Sequence, residues 1–288
     1  MTDVLFRPRR SVLFLPATNA RAMEKAKGLP CDVVILDLED AVAPDLKDQA
    51  RDAAVQAIRE GGFGRRELAV RINGLDTPWA EADLKALSAA GPDAVLVPKI
   101  ADAGDVARYD SRLSHAPDKT QLWVMIETAR ALFHLESIAA SSKNTRLGAM
   151  VIGPNDLAKE TGAQLGGGRE PLWAAMSMTV AAARIYGVTA LDGVYNNFKD
   201  DEGFAREAAQ ARAFGFHGKT LIHPAQVDPC NRAFAASDEE VEWARKVIAA
   251  FAGEGSETLG ALQVDGQMVE RLHLVQAERL LAGSVTDA

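Results

Sequence analysis

Residues 94–128, AVLVPKIADAGDVARYDSRLSHAPDKTQLWVMIET, decide the fold. Ala94–Pro98 is a short apolar, β-branched run, Ala103–Leu113 carries a helical pattern, and Leu122–Ile126 is a second apolar run. Strand, helix and strand in that order, with no tight hairpin signal between them, read as a parallel crossover unit: a helix-length connection brings the second strand back in the same direction. The same alternation extends both ways. Upstream runs lie at Ser11–Ala17, Asp32–Leu38 and Leu68–Ile72; downstream ones at Ala149–Ile152, Val188–Asp192 and Lys219–Ile222. Helical patterns separate most of them, at Ala20–Leu29, Leu46–Glu60, Trp79–Ala90, Ala131–Ala140, Leu172–Tyr186 and Asp201–Phe214. Asn19 is placed to N-cap the first helix, and Thr77-Pro78 puts a proline where the third begins.

Eight such runs predict an α/β protein of the (β/α)₈ TIM-barrel class, which typically takes roughly 250 residues. Two more helical patterns, Asp238–Ala252 and Met268–Ala282, follow the eighth unit, with Gly283 as a stop. Gly253–Gly266 between them is Gly-rich and aperiodic and reads as a mobile arm. The expected organisation is a catalytic barrel over residues 1–235 and a C-terminal helical extension over residues 236–288. Gly162–Arg169, with Gly166-Gly167-Gly168, reads as a flexible loop after the sixth strand, where barrels place active-site loops.

Composition narrows the partners. The chain has 288 residues, 32 Lys+Arg against 40 Asp+Glu, and a net charge of −8. An acidic balance argues against nucleic acid and against an anionic membrane, since both need a basic face. No apolar run reaches the length of a membrane span, and the stretch after Arg7, Arg9 and Arg10 is too short, and broken by Pro16, for a signal peptide. Two cysteines, Cys31 and Cys230, cannot build a disulfide framework or a thiolate metal cage. A cytoplasmic protein is expected.

In a closed parallel barrel the active site lies at the C-terminal ends of the strands. There the apolar runs end in Asp37-Leu38-Glu39-Asp40, Arg71-Ile72-Asn73, Pro98-Lys99, Glu127-Thr128, Asn155-Asp156, Asp192 and His223-Pro224. Glu127 and Asp156 close neighbouring strands, so their carboxylates can converge, and adjacent carboxylates repel unless a proton or cation lies between them. With no Cys or His cluster nearby, hard oxygen donors suit Mg²⁺ or Mn²⁺ and leave positions open to water and substrate; satisfaction by Arg or backbone N–H groups is the purely structural alternative. Arg71 either neutralises Asp37, Glu39 or Asp40, or grips a substrate carboxylate with its guanidinium fork. Neither Gly153-Pro154-Asn155-Asp156 nor Gly218-Lys219-Thr220 matches a nucleotide-phosphate loop.

These segments, in this order, resemble the citrate lyase β-subunit / malyl-CoA lyase family of CoA-ester lyases, within the HpcH/HpaI aldolase superfamily. The resemblance is carried by Arg10–Ala17, Asp37–Val42, Val70–Asn73, Val97–Lys99, Met125–Thr128, Gly153–Leu157 and Leu221–Gln226, and runs from about residue 8 to 283. It implies a (β/α)₈ barrel with a C-terminal extension, Mg²⁺ on Glu127 and Asp156, and substrate held by Arg71, with Glu39, Asp40 and Glu127 beside it. It also implies a CoA or acyl-carrier-protein arm along the barrel top near Asp192–Tyr195 and His223–Gln226, so that Asp192 and His223 are cofactor-side candidates. Trimers or hexamers in which the C-terminal segment covers a neighbour's site are implied too. An acid in that segment serves proton transfer in such enzymes; here Glu270 is the first candidate and Asp265 the second, with Glu standing where many relatives have Asp. The expected activity is reversible cleavage of a 3-hydroxyacyl-CoA of malyl or citramalyl type to acetyl-CoA and a 2-oxo acid. The alternatives are a citrate lyase β subunit working on a carrier-protein thioester, a malyl-CoA thioesterase, and a catalytically silent carboxylate-binding barrel.

Overall fold

The computed structural model describes residues 7–166, 168–253 and 260–284. Eight parallel strands close in chain order, β8 pairing back onto β1. They are β1 (Ser11–Pro16), β2 (Val33–Asp37), β3 (Glu67–Arg71), β4 (Ala94–Val97), β5 (Gln121–Ile126), β6 (Leu147–Ile152), β7 (Thr189–Asp192) and β8 (Gly218–Leu221). These are the eight apolar runs, differing only at their ends. The connecting helices are α1 (Ala20–Ala26), α2 (Lys47–Glu60), α3 (Ala80–Ala90), α4 (Ala103–Arg112), α5 (Ala129–Leu132), α6 (Leu135–Ala140), α7 (Pro154–Thr161), α8 (Trp173–Tyr186), α9 (Asp201–Phe214) and α10 (Val227–Phe234). Asn19 does cap α1, its side chain accepting the Ala22 N–H at 3.0 Å. Pro78 precedes α3 rather than opening it, because the helix begins at Ala80. None of the described helices is long and apolar enough to cross a membrane.

Side-chain alternation along the strands sorts the barrel into two cores. Val12, Val33, Ile35, Ala69, Ala94, Leu96, Trp123, Met125, Ala149, Val151 and Leu191 fill the interior. Their strand neighbours Leu13, Val34, Leu36, Val70, Val95, Val124, Met150 and Ala190 belong to the larger core that also takes in the helices. Burying Leu36, Val70 or Val124 contributes roughly 1.5–3 kcal/mol each, which is why the strands read as unbroken apolar runs. At the N-terminal end Arg9 plugs the interior. It forks onto Glu67 at 2.6 and 3.0 Å, donates to Thr189 and Gln121, and lies over the Trp123 ring at 4.7 Å.

Arg9–Phe234 is one compact unit, and the chain from Ala235 onward belongs to another. The second holds α11 (Asp238–Phe251), β9 (Ala261–Val264), β10 (Gln267–Glu270) and α12 (Arg271–Ser284) around Ala244, Val247, Phe251, Val264, Val269 and Ala277. Ser237 and Glu240 form a capping box at the start of α11. Two expectations are corrected here. The end of the anticipated arm and the start of the anticipated last helix form an antiparallel hairpin, in which Gln267 pairs with Val264 across Asp265-Gly266. Asp265 (φ 48°) and Gly266 (φ 81°) are both left-handed, as a two-residue hairpin turn of the Asp-Gly kind requires. The helix therefore starts at Arg271, and it runs through Gly283 instead of stopping there. Residues 254–259 of the expected arm, and Gly167 of the glycine loop, lie outside the described residues.

Candidate active site

The interior alternation delivers the polar residues to the mouth. Val33 and Ile35 point inward, so Asp37 does too; Ala69 is followed by Arg71, and Trp123 and Met125 by Glu127. Asp37 and Arg71 are register partners on adjacent strands. Arg71 accordingly donates from Nε and Nη2 to the two oxygens of Asp37 at 2.7 and 2.6 Å. Its Nη1 lies 2.9 Å from Glu39 and 3.6 Å from Asp40, and the guanidinium sits over the Phe14 ring at 4.9 Å. Of the two roles open to Arg71, the free barrel thus shows the neutralising one; the Nε-side fork belongs to Asp37. Asp37 also caps the following turn, accepting the Glu39 and Ala41 N–H groups. Lys47, buried under that turn, donates to the Leu38 and Glu39 carbonyls at 2.8 and 2.7 Å.

Glu127 is buried, with one oxygen accepting the Lys99 N–H at 2.8 Å. Gly153 makes room for it. A Cβ at Gly153 would lie 2.5 Å from both Cβ and Oε2 of Glu127, so only glycine allows β6 to pass this close. Pro154 then opens α7, which carries half-buried Asp156 in its first turn. Arg71, Asp37, Asp40, Glu127 and Asp156 all line one cavity of about 390 Å³, walled by Phe14, Met125 and Ile152 and edged by Val194, Asn196, Thr220 and Ile222.

The electrostatics at this mouth are unbalanced. Five carboxylates (Asp37, Glu39, Asp40, Glu127, Asp156) face Arg71, Lys99 and Lys47. Burial pushes the Glu127 carboxyl up to about 8, and the Glu39 and Asp156 charges add to this while the Lys99 N–H offsets part of it. Burial likewise pushes Glu39 up to about 7, with Arg71 opposing. Buried Glu127 beside half-buried Asp156, in a mouth short of positive charge, fits a divalent cation. No set of three or more His, Cys, Asp or Glu among the described residues forms a metal cage, so a cation held here would depend on few protein oxygens and on water and substrate for its other positions.

Not every anticipated residue reaches the mouth. Leu191 is the inward residue of β7, so Asp192 points outward into the helix layer and is fully buried there. Arg169 donates to both its oxygens at 2.9 and 3.0 Å, and Lys219 to one at 2.8 Å. Lys219 also bonds Glu207 at 2.7 Å and the Gly193 carbonyl, and Arg169 bonds Gln210. Burial opposes ionisation of Asp192, but Lys219 and Arg169 outweigh it and hold its carboxyl below its ordinary value. Asp192 is therefore corrected from a cofactor-side residue to the hub of a buried ionic network beneath the loop that carries Val194 and Asn196. His223 does stand at the rim, half-buried, stacked on Phe198 at 4.7 Å and 15° and accepting the Ala225 N–H. Asp265, paired with Lys246 at 2.9 Å, and Glu270, whose N–H donates to His273, belong to the C-terminal unit.

Three features had no sequence reading. Asn155 and Asn196 exchange side-chain hydrogen bonds at 2.8 and 3.4 Å, and Gln226 donates to the Tyr195 carbonyl at 3.0 Å; together they stitch the loops after β6, β7 and β8. Lys99 adopts a left-handed backbone, φ 53°. Arg169 does the same at φ 54°, pinning the end of the glycine loop to the buried network. No pattern of residue types signals a lysine or arginine in that conformation.

Residues 10–224 match the HpcH/HpaI aldolase/citrate lyase family along their length, and this span contains every mouth residue described above. The chain belongs to that family. It is thus an enzyme of the CoA-ester, carbon–carbon lyase type. Among HpcH/HpaI relatives, a (3S)-malyl-CoA thioesterase of Cereibacter sphaeroides is 44% identical over 275 residues, covering 96% of this chain and 94% of that protein. An L-malyl-CoA/beta-methylmalyl-CoA lyase of the same species is 38% identical over 298 residues, covering 94% and 93%. The CitE protein of Mycobacterium tuberculosis, solved in complex with magnesium, acetoacetate and coenzyme A, superposes with a TM-score of 0.78 at 32% identity, covering 96% of this chain and 97% of that one.

Proposed function

We propose that this protein is a Mg²⁺-dependent lyase that cleaves a malyl-type CoA thioester to acetyl-CoA and a 2-oxo acid, and runs the condensation in reverse. The observation that carries the reading is the buried Glu127 with Asp156 in one cavity beside Arg71. Its support for the malyl class is that relatives at 44% and 38% identity are named for malyl-CoA, although one is a thioesterase and the other a lyase.

Glu127 and Asp156 would hold the metal, with Mn²⁺ as the alternative hard cation. When bound there, the ion supplies Lewis-acid polarisation of the keto-acid oxygens. The chain's own groups do the rest. Arg71, locked by Asp37 and Phe14, presents a fixed positive charge to the oxygen that gains charge as the carbon–carbon bond breaks. Glu39, 2.9 Å from Arg71 Nη1, would help hold that charge where the substrate meets it. Glu270, with Asp265 second, is the proposed proton-transfer acid of the C-terminal segment. Phe14, Met125 and Ile152 would wall the side of the cavity against which the acyl group lies.

The identity to the thioesterase favours a second reading, in which water attacks the same bound malyl thioester. Incubation of the protein with (3S)-malyl-CoA and Mg²⁺ separates them. Glyoxylate with acetyl-CoA means cleavage; free malate with CoA and no glyoxylate means hydrolysis. Loss of either activity in Glu127→Ala, together with loss of Mg²⁺ binding, is expected, and unchanged turnover in that variant removes the metal-site reading.

A further inference from the structure

We propose that Lys99 is a substrate-binding residue, its ammonium receiving the free carboxylate of the keto-acid end of the substrate. The inference rests on the reading of the mouth as a site for a carboxylate-bearing thioester, and it names the group that meets that carboxylate. Arg71 is the cation expected in this role, but its Nε and one Nη2 hydrogen are committed to Asp37, and Nη1 faces Glu39. Lys47 is buried and spent on two backbone carbonyls. Lys99 differs from both. Its side chain is 51% exposed; among the described residues its ion pair is with Glu39, a loose 3.7 Å, and Asp40, Asp156 and Glu127 also act on its charge. An ammonium has three donors, so it retains capacity for an incoming anion.

The backbone shows that the residue is placed there and is not a stray surface lysine. Lys99 follows β4 directly after Pro98, and its left-handed conformation is one that lysine rarely adopts. That conformation lets one residue do two things: its N–H donates to Glu127 Oε1 at 2.8 Å while its side chain approaches Glu39 across the rim. A strained non-glycine residue whose amide orients a proposed metal carboxylate, and whose ammonium interacts with Asp40, Glu127 and Asp156 of the cavity lining, fits a functional placement. Glycine would satisfy the backbone without strain, so the lysine side chain is what the position retains at a conformational cost.

The test compares Lys99→Gly and Lys99→Arg with the parent in the full-length protein. Mg²⁺ affinity is measured by calorimetry with the metal alone, and glyoxylate affinity by calorimetry at saturating Mg²⁺. Lys99→Gly keeps the amide and relieves the left-handed strain, so it is expected to fold; with a cation removed from beside Glu127 and Asp156, its Mg²⁺ affinity should equal or exceed the parent's. Losing one charge-assisted contact should weaken glyoxylate binding by about tenfold to a hundredfold, and Lys99→Arg should restore most of it. Parent-like glyoxylate affinity in Lys99→Gly overturns the proposal. So does an equal loss of Mg²⁺ and glyoxylate affinity, which would make the residue only a support for Glu127. Turnover of malyl-CoA by the parent is scored separately: its absence overturns the proposed reaction, whereas the glyoxylate binding alone decides Lys99.

Discussion

Gly153→Ala is the sharpest perturbation this site allows. The new Cβ would stand 2.5 Å from Glu127 Cβ and Oε2 and 3.2 Å from Met125 Cε. Comfortable carbon contacts begin near 3.5 Å, so Glu127 must retreat by about 1 Å. It cannot do so by rotation alone. Its Cβ is fixed just past the end of β5, and the Gly153 N–H donates to the Ile126 carbonyl at 3.0 Å, tying the two chain segments together. The strain therefore divides between spreading β5 from β6 and swinging the carboxylate away. Overpacking of this kind costs about 1–3 kcal/mol, which for a chain of this size is a melting temperature lower by about 2–12 °C. Misplacing a reacting or ligating group by 1 Å costs on the order of 100-fold in rate. The assay is Mg²⁺ affinity by calorimetry, with malyl-CoA turnover at saturating Mg²⁺. Gly148→Ala is the control, because its Cβ would press on Gln121 Oε1 near the N-terminal end of β6. It should lower the melting temperature and leave Mg²⁺ affinity alone. Native metal affinity and turnover in Gly153→Ala, or equal metal loss in both variants, would refute the assignment of Glu127.

Arg71→Lys should lower turnover by at least about 100-fold, since an ammonium cannot span both Asp37 oxygens and Glu39; near-parental kinetics would contradict the fixed-charge role. Lys219→Met leaves Asp192 and Glu207 short of a partner in the buried network, and equilibrium urea unfolding should show a loss of about 3–5 kcal/mol. A loss under about 1 kcal/mol would mean the network relaxes without it. His217 gives a pH signature. Burial, with Arg184 and Arg9 adding to it, lowers its value to about 4, from about 6.5 in an unfolded chain. Between those values the unfolded chain takes up a proton that the folded one does not, so stability falls as pH drops from about 6.5 to 4, by at most about 3 kcal/mol. In the metal-free protein Glu39 and Glu127, raised above their ordinary values, act oppositely and lose stability as pH rises, so the comparison is with His217→Gln, which should show a flatter fall. Parallel curves for parent and variant would exclude His217 as the source.

Local pattern made the barrel legible. Barrel strands such as β2 and β5 are buried on both faces, so their apolar runs are continuous and conspicuous at Asp32–Leu38 and Leu122–Ile126. Period-two alternation also reaches the mouth: counting from Ile35 to Asp37, or from Met125 to Glu127, places those side chains inside, and the same count from Leu191 places Asp192 outside. The hairpin was legible in principle as well, since Asp265-Gly266 is the two-residue turn signal between short alternating segments.

What the chain alone determined is the eight barrel strands, their parallel order and the strand ends that carry Asp37, Arg71 and Glu127, because strand period and crossover length are properties of consecutive residues. Only the closed barrel decided which charges meet. Arg71 and Asp37 are 34 residues apart yet share a fork, Lys219 and Asp192 neutralise each other 27 residues apart, and Gly153 is needed because Glu127 occupies the space its side chain would fill. Pairing, burial and close approach depend on strand register and on the space between segments, and these exist only once the eighth strand has met the first.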